Sequence, residues 1–144
     1  MGTKVATRTR GGAQLDKASM ERVSRFRYAL RRFLRFSEDA SRDAGITVLQ
    51  YQLLLHTQGF PGREWASVGE LAERLQAHAH GVVALVSRCE ESALVKRVQN
   101  DEDRRLVEVH LTAKGRRCLE GLMLQHRSQL DALASLIEEA RADS

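Results

Sequence analysis

Proline is almost missing from this chain: Pro61 is the only one in 144 residues. Proline breaks helix interiors, so a chain this poor in it can form long helices. Aromatic residues make up only 5%. Alanine, leucine, arginine and glutamate, all good helix formers, take their place. Cysteine occurs twice, at Cys89 and Cys118, without CxxC spacing. Such a pair reads as reduced thiols rather than as a disulfide framework. Long apolar runs are absent, the longest being Leu53–Leu55 and Val82–Val86. That excludes a membrane-spanning helix, which needs about 20 apolar residues. Charge is not strongly one-sided: 23 Lys and Arg against 19 Asp and Glu give a net +4, a mild lean towards polyanions. The opening MGTKVATRTRGG is basic, but no apolar core follows it. It therefore does not read as a secretory signal, and a cytoplasmic protein is expected.

What is there is helical periodicity. Residues 1–14 are rich in Lys, Arg, Gly and Thr and read as a disordered basic arm. From Asp16 to Ala44, Met20, Val23, Phe26, Leu30, Phe33, Leu34 and Ala40 recur at steps dominated by three and four, so one helix face is apolar. The other face carries Arg22, Arg25, Arg27, Arg31, Arg32 and Arg35, ordinarily a solvated helix face. Gly45 is placed to end this helix in a left-handed cap. Thr47 can cap a very apolar second helix, Val48 to Thr57. Gln58 to Trp65 reads as a loop. Ser67 and Glu70 have capping-box spacing and open a short helix to Leu75. After a break at Gln76-Ala77, a further helix is expected over His78 to Ser92. Two short helices joined by a tight turn form the helix-turn-helix pattern.

The period then changes. Leu94–Gln99 and Leu106–Leu111 are β-branched-rich with partial alternation, and the polar stretch Asn100–Arg105 joins them. This predicts a β-hairpin with two arginines at its tip. Thr112 then caps a long helix from Ala113 to about Ala142, with leucines again at helical spacing. The fold expected is mainly α with a small β-hairpin wing. It comprises a winged helix-turn-helix lobe over 46–112 and terminal helices over 15–45 and 113–144, within a single domain of 15–144. The terminal helices carry more leucine than so short a chain can cover, which favours a homodimer built on them.

Specific residues now line up. Ile46-Thr47-Val48-Leu49-Gln50-Tyr51, Leu71-Ala72-Glu73-Arg74-Leu75, Leu85-Val86-Ser87-Arg88, Leu94-Val95, Asp103-Arg104-Arg105 and Leu111-Thr112-Ala113-Lys114-Gly115 occur in this order. The chain thereby resembles the MarR family of transcriptional regulators over Leu15 to Ala142. The resemblance implies a homodimer on near-palindromic double-stranded DNA. One recognition helix would enter each of two major grooves, with a wing beside the minor groove. It implies that Arg105 is the wing arginine, oriented by a bidentate ion pair with Asp103, while Arg104 meets phosphate. It also implies repression released by a small aromatic acid, phenol or acyl thioester. Family effectors lie in a groove walled by the first, second and fifth helices, where this chain offers Phe26, Arg27, Tyr28, Arg31, Tyr51 and His56. The aromatic residues of the 60–65 loop could cover that groove.

The recognition helix departs from the family pattern. His78-Ala79-His80-Gly81-Val82-Val83-Ala84 has no Ser, Thr or Arg. Only His78 and His80 can hydrogen-bond to bases there, Gly81 permits close approach, and Arg88 lies further along. On a helix, i and i+2 point about 200° apart, so the histidine pair makes poor co-ligands and no metal is expected. No cofactor is expected either. Enzyme motifs such as GxSxG, HExxH or a phosphate-cradling glycine loop do not occur. The alternative reading is a helical dimer that keeps the fold but binds a ligand or protein, with weak, non-specific DNA affinity.

Overall fold

The computed structural model describes residue 2 and residues 15–142. The expected basic arm, Gly2 apart, lies outside the described residues. The first helix, α1, runs Lys17–Asp43. It ends where the repeat predicted: Gly45 takes φ +82°, and Ile46 N–H donates to the Ser41 carbonyl at 3.0 Å. Helix α2 spans Val48–Gln58. Thr47 Oγ1 accepts from Gln50 N–H at 3.1 Å, and Gln50 returns the bond to Thr47 N–H at 2.9 Å. Helices α3 (Val68–Leu75) and α4 (Ala79–Glu91) follow. Gln76, at φ +50°, turns the chain between them.

Strands β2 (Val95–Gln99) and β3 (Val107–Leu111) form the expected hairpin. A strand the sequence did not announce, β1 (Trp65–Ser67), pairs with β3, so the sheet order is β1-β3-β2 and all pairs are antiparallel. Three residues are too few to show alternation; pairing of Trp65 with His110 and Ser67 with Glu108 is what makes them a strand.

The last helix, α5, runs Ala113–Arg141. Its first turn clamps the corner between α4 and β2. Thr112 Oγ1 donates to the Ala93 carbonyl at 2.6 Å and accepts from Gly115 N–H at 3.0 Å. Lys114 Nζ donates to the Ser92 carbonyl at 2.9 Å. Gly115 is required here: a Cβ would sit 2.0 Å from the Leu94 carbonyl oxygen. The Leu-Thr-x-x-Gly run is thus a packing device.

The chain divides into two compact units. Residues 34–128 form one; the described residues up to 33 and from 129 onward form the other. The first holds the core, in which Leu53, Leu54, Leu71, Val82, Val86, Val95, Val109 and Leu122 are fully buried. In its polar interior the Ser41 hydroxyl is buried without a hydrogen-bond partner, whereas His126 is well held. His126 stacks on Tyr51 at 5.0 Å, and its Nδ1 lies 2.6 Å from the Leu122 carbonyl. A carbonyl can only accept, so Nδ1 carries the proton. The second unit is a helical pair joined by Arg25–Glu139 at 3.2 Å. Among its described residues only Ser19 is buried. No helix of the described chain is long and apolar enough to cross a membrane.

Candidate nucleic-acid interface

The helix-turn-helix and the hairpin both belong to unit 34–128. Ser67 and Glu70 cap α3 reciprocally, at 3.2 and 2.9 Å, which fixes the start of the helix-turn-helix. Helix α4 buries Val82, Leu85, Val86 and Cys89 against the core. That leaves His80, Gly81, Val83, Ala84 and Arg88 exposed on its other side. A Cβ at Gly81 would meet nothing within 4 Å, so packing does not demand glycine there.

His78 corrects one expectation. It is the N-cap residue of α4, with φ −76° and ψ 144°, and lies outside the helix. The separation of about 200° between i and i+2 holds only for two residues inside one helix, so it does not apply to His78 and His80. The His78 and His80 rings in fact stack, 5.9 Å apart and 9° from parallel. Among the described residues no group of three or more His, Cys, Asp or Glu side chains could hold a metal ion.

The wing tip is ordered by side chains. Asn100 Oδ1 accepts from Glu102 N–H at 3.0 Å and from Asp103 N–H at 2.8 Å. Asp103 Oδ1 accepts from Arg105 N–H at 3.0 Å. This differs from the expected bidentate pair between the Asp103 and Arg105 side chains. A backbone N–H two residues on is held close by the turn itself, whereas a fully exposed ion pair gains little in water. Asp103 therefore shapes the turn, and the Arg104 and Arg105 guanidinium groups stand exposed at its end.

Sequence reasoning passed over Arg97, which joins the wing to the recognition helix. From β2 its guanidinium donates to Glu90 Oε1 at 3.0 Å, Ser87 Oγ at 2.8 Å and the Val83 carbonyl at 3.2 Å. Its own N–H meets Glu90 Oε2 at 3.1 Å. The available signal was an arginine in the middle of a strand that immediately follows a helix ending in Glu90-Glu91.

Arg63 was also missed. Its guanidinium lies 4.2 Å from the Phe60 ring centre and 3.8 Å from that of Trp65, and it pairs with Glu70. The loop aromatics were expected to cover a groove. Phe60 and Trp65 grip this cation, which gains from both ring faces.

The six effector candidates fall in different units. Phe26, Arg27, Tyr28 and Arg31 lie on α1 before residue 34; Phe26 is half-buried, and the other three are exposed. Arg32 sits 5.7 Å from the Tyr28 ring centre. Tyr51 and His56 lie on α2 in unit 34–128. Tyr51 is buried against His126, which engages one face of its ring, and burial raises its hydroxyl pKa. His56 is half-buried; burial, then nearby Arg74, lowers its pKa. Cys89 is fully buried, and burial pushes its thiol up to about 11.

A helix-turn-helix followed by a three-stranded wing has known relatives. The sequence model of the MarR family matches residues 44–106. Over those residues the chain is similar to the MarR family. It is 28% identical over 87 residues to the uncharacterised HTH-type transcriptional regulator YsmB of Bacillus subtilis (strain 168). That match covers 56% of this chain and 60% of YsmB. The chain thus spans less than two thirds of that relative's length. Among solved structures, AbsC, a MarR family transcriptional regulator from Streptomyces coelicolor, superposes with a TM-score of 0.67 at 18% identity, covering 85% of this chain and 82% of AbsC. A point mutant of MepR from S. aureus, bound to an oligodeoxyribonucleotide, gives 0.64 at 19% identity, covering 78% and 81%. At such identities the likeness is one of fold. The MarR match spans α2 to the wing tip, and so covers the helix-turn-helix and the arginine-bearing turn.

Proposed function

We propose that this protein is a homodimeric, sequence-specific DNA-binding transcriptional regulator that acts as a repressor. The observation that carries the reading is the pairing of an exposed recognition-helix ridge with an arginine-bearing wing tip in one compact unit. His78, His80, Gly81 and Arg88 are the residues proposed to meet the major groove, and Arg105 the minor groove. Arg104 contacts phosphate, and Asp103 sets the turn that presents both arginines. The oligodeoxyribonucleotide on the MepR mutant supports DNA as the partner.

Dimerisation is supported by the helical unit, whose apolar side chains find no interior. Leu15, Met20, Val23, Leu130 and Ile137 are exposed by 77, 58, 49, 51 and 38%. A second copy of the same unit is the partner that covers them. Release by a small aromatic acid, phenol or acyl thioester is the further part of the proposal. Arg27 and Arg31, exposed on α1, are the cations offered to a carboxylate.

The test is selection of genomic fragments by the purified protein at two salt concentrations. One palindromic site, with half-sites about one helical turn apart, supports the reading. Sequence-blind binding at the roughly 10⁻⁴–10⁻⁶ M of non-specific complexes overturns it and favours a ligand- or protein-binding dimer.

A further inference from the structure

The wing tip is tied back to the sheet by side chains that no DNA contact requires. Glu108 and His110 are two apart on β3 and so share one face of the strand. His110 Nε2 lies 2.8 Å from Glu108 Oε1. The other carboxylate oxygen, Oε2, accepts from Asn100 Nδ2 at 2.6 Å. Asn100 in turn holds Glu102 N–H and Asp103 N–H through its Oδ1, and Asp103 holds Arg105 N–H. Trp65 stacks on the far end of the chain, its ring 6.3 Å from that of His110. Glu108 keeps only 14% of its side-chain surface in solvent, and His110 28%. The contacts run unbroken from the edge strand to the arginine tip.

We propose that Asn100, Glu108 and His110 are positioning residues for DNA recognition, a relay that holds the wing tip in its binding shape before DNA arrives. The relay rests on the proposed function above and adds to it. A six-residue tip with every side chain from Asp101 to Arg105 in solvent has no core to order it. Each residue left free must be ordered on binding, which lowers affinity. Glu108 matters because it fixes the Asn100 amide from outside the turn. Asn100 then presents one oxygen to two backbone N–H groups, which sets the direction in which Arg104 and Arg105 leave the hairpin.

The experiment uses the full chain and compares Glu108→Ala, Glu108→Gln and Asn100→Asp. Aspartate keeps the oxygen that accepts from the turn but loses the amide that reaches Glu108. Glutamine keeps an oxygen for Asn100. Hydrogen exchange of the wing amides is measured without DNA, and affinity is measured for the duplex recovered by fragment selection. Glu108→Ala and Asn100→Asp are expected to speed exchange at Glu102, Asp103 and Arg105 by about tenfold or more and to weaken that duplex by about tenfold. Glu108→Gln is expected to restore most of both. In an Arg105→Ala background the two variants cost clearly less than in the wild type, because one of the two arginines they position is gone. Unchanged exchange, or losses that add in full to Arg105→Ala, overturn the relay while leaving the DNA-binding reading intact. A wild-type protein that binds every duplex alike overturns both. Should Glu108→Ala fail to fold, Asn100→Asp against Glu108→Gln decides the matter alone.

Discussion

Unit 34–128 and the helical unit are built from the same kinds of residue, yet they treat apolar surface in opposite ways. In the first, leucines and valines from α2, α3, α4, the sheet and α5 are taken fully out of water. In the second, apolar side chains at the same helical spacing stay half-buried or exposed. The sheet gives the first unit a second layer against which helices close a core. Two helix segments alone offer each other one stripe and leave the rest in solvent. The difference separates a lobe with a closed core from one that leaves apolar surface open, the surface the proposed second copy would cover.

The largest expected effect sharpens that contrast. Leu71→Ala, in a fully buried site, should cost about 2–5 kcal/mol of stability, read as a lower denaturant midpoint. Leu130→Ala, half-exposed in the helical unit, should hardly alter that core. It should instead shift sedimentation towards monomer at low concentration; an unchanged oligomeric state would break the dimer proposal.

Gly115→Ala comes next. The added methyl meets a backbone carbonyl, which cannot rotate away as a side chain could. A loss of about 1–3 kcal/mol is expected, again by denaturant titration. Arg105→Ala should leave stability unchanged and weaken the selected duplex by about ten- to a hundredfold, with a shallower salt dependence. A comparable loss of melting temperature would mean that the tip supports the fold instead.

Cys89 gives a pH test of the same core. Burial lifts its thiol pKa to about 11, against 9.0 for the free group. The buried thiol stays protonated while the unfolded one ionises, so stability is complete below pH 9 and falls as the pH rises from there towards 11. Cys89→Ser removes the thiol and should flatten this fall, measured as melting temperature against pH. The native thiol should also resist alkylation at about pH 8. The smallest effect is expected at Arg25–Glu139, an exposed pair in the helical unit. Arg25→Ala should change stability by less than about 1 kcal/mol.

The helices were legible because helix formation is local. Steps of three and four, the Thr47 and Ser67 caps and the Gly45 stop placed α1 to α4 to within a residue or two. The hairpin was legible for the same reason: two β-rich runs flanked a polar turn. The exposed ridge of α4 and the arginine tip followed from those elements. The third strand was not legible, since its pairing partner lies more than forty residues away. The stacking of His78 on His80 was hidden because it depends on a helix boundary one residue from the expected one.

By itself, then, the sequence determined the order and kind of the elements, the family motifs and the chemistry available at the wing and recognition helix. These depend on neighbours along the chain, whose spacing a sequence displays directly. Only the tertiary structure decided that Asp103 turns the backbone rather than pairing with Arg105, that Arg97 ties the wing to α4, that Tyr51 is buried against His126, and that Asn100, Glu108 and His110 form one relay. Each of those depends on distances and angles between side chains that folding alone brings together.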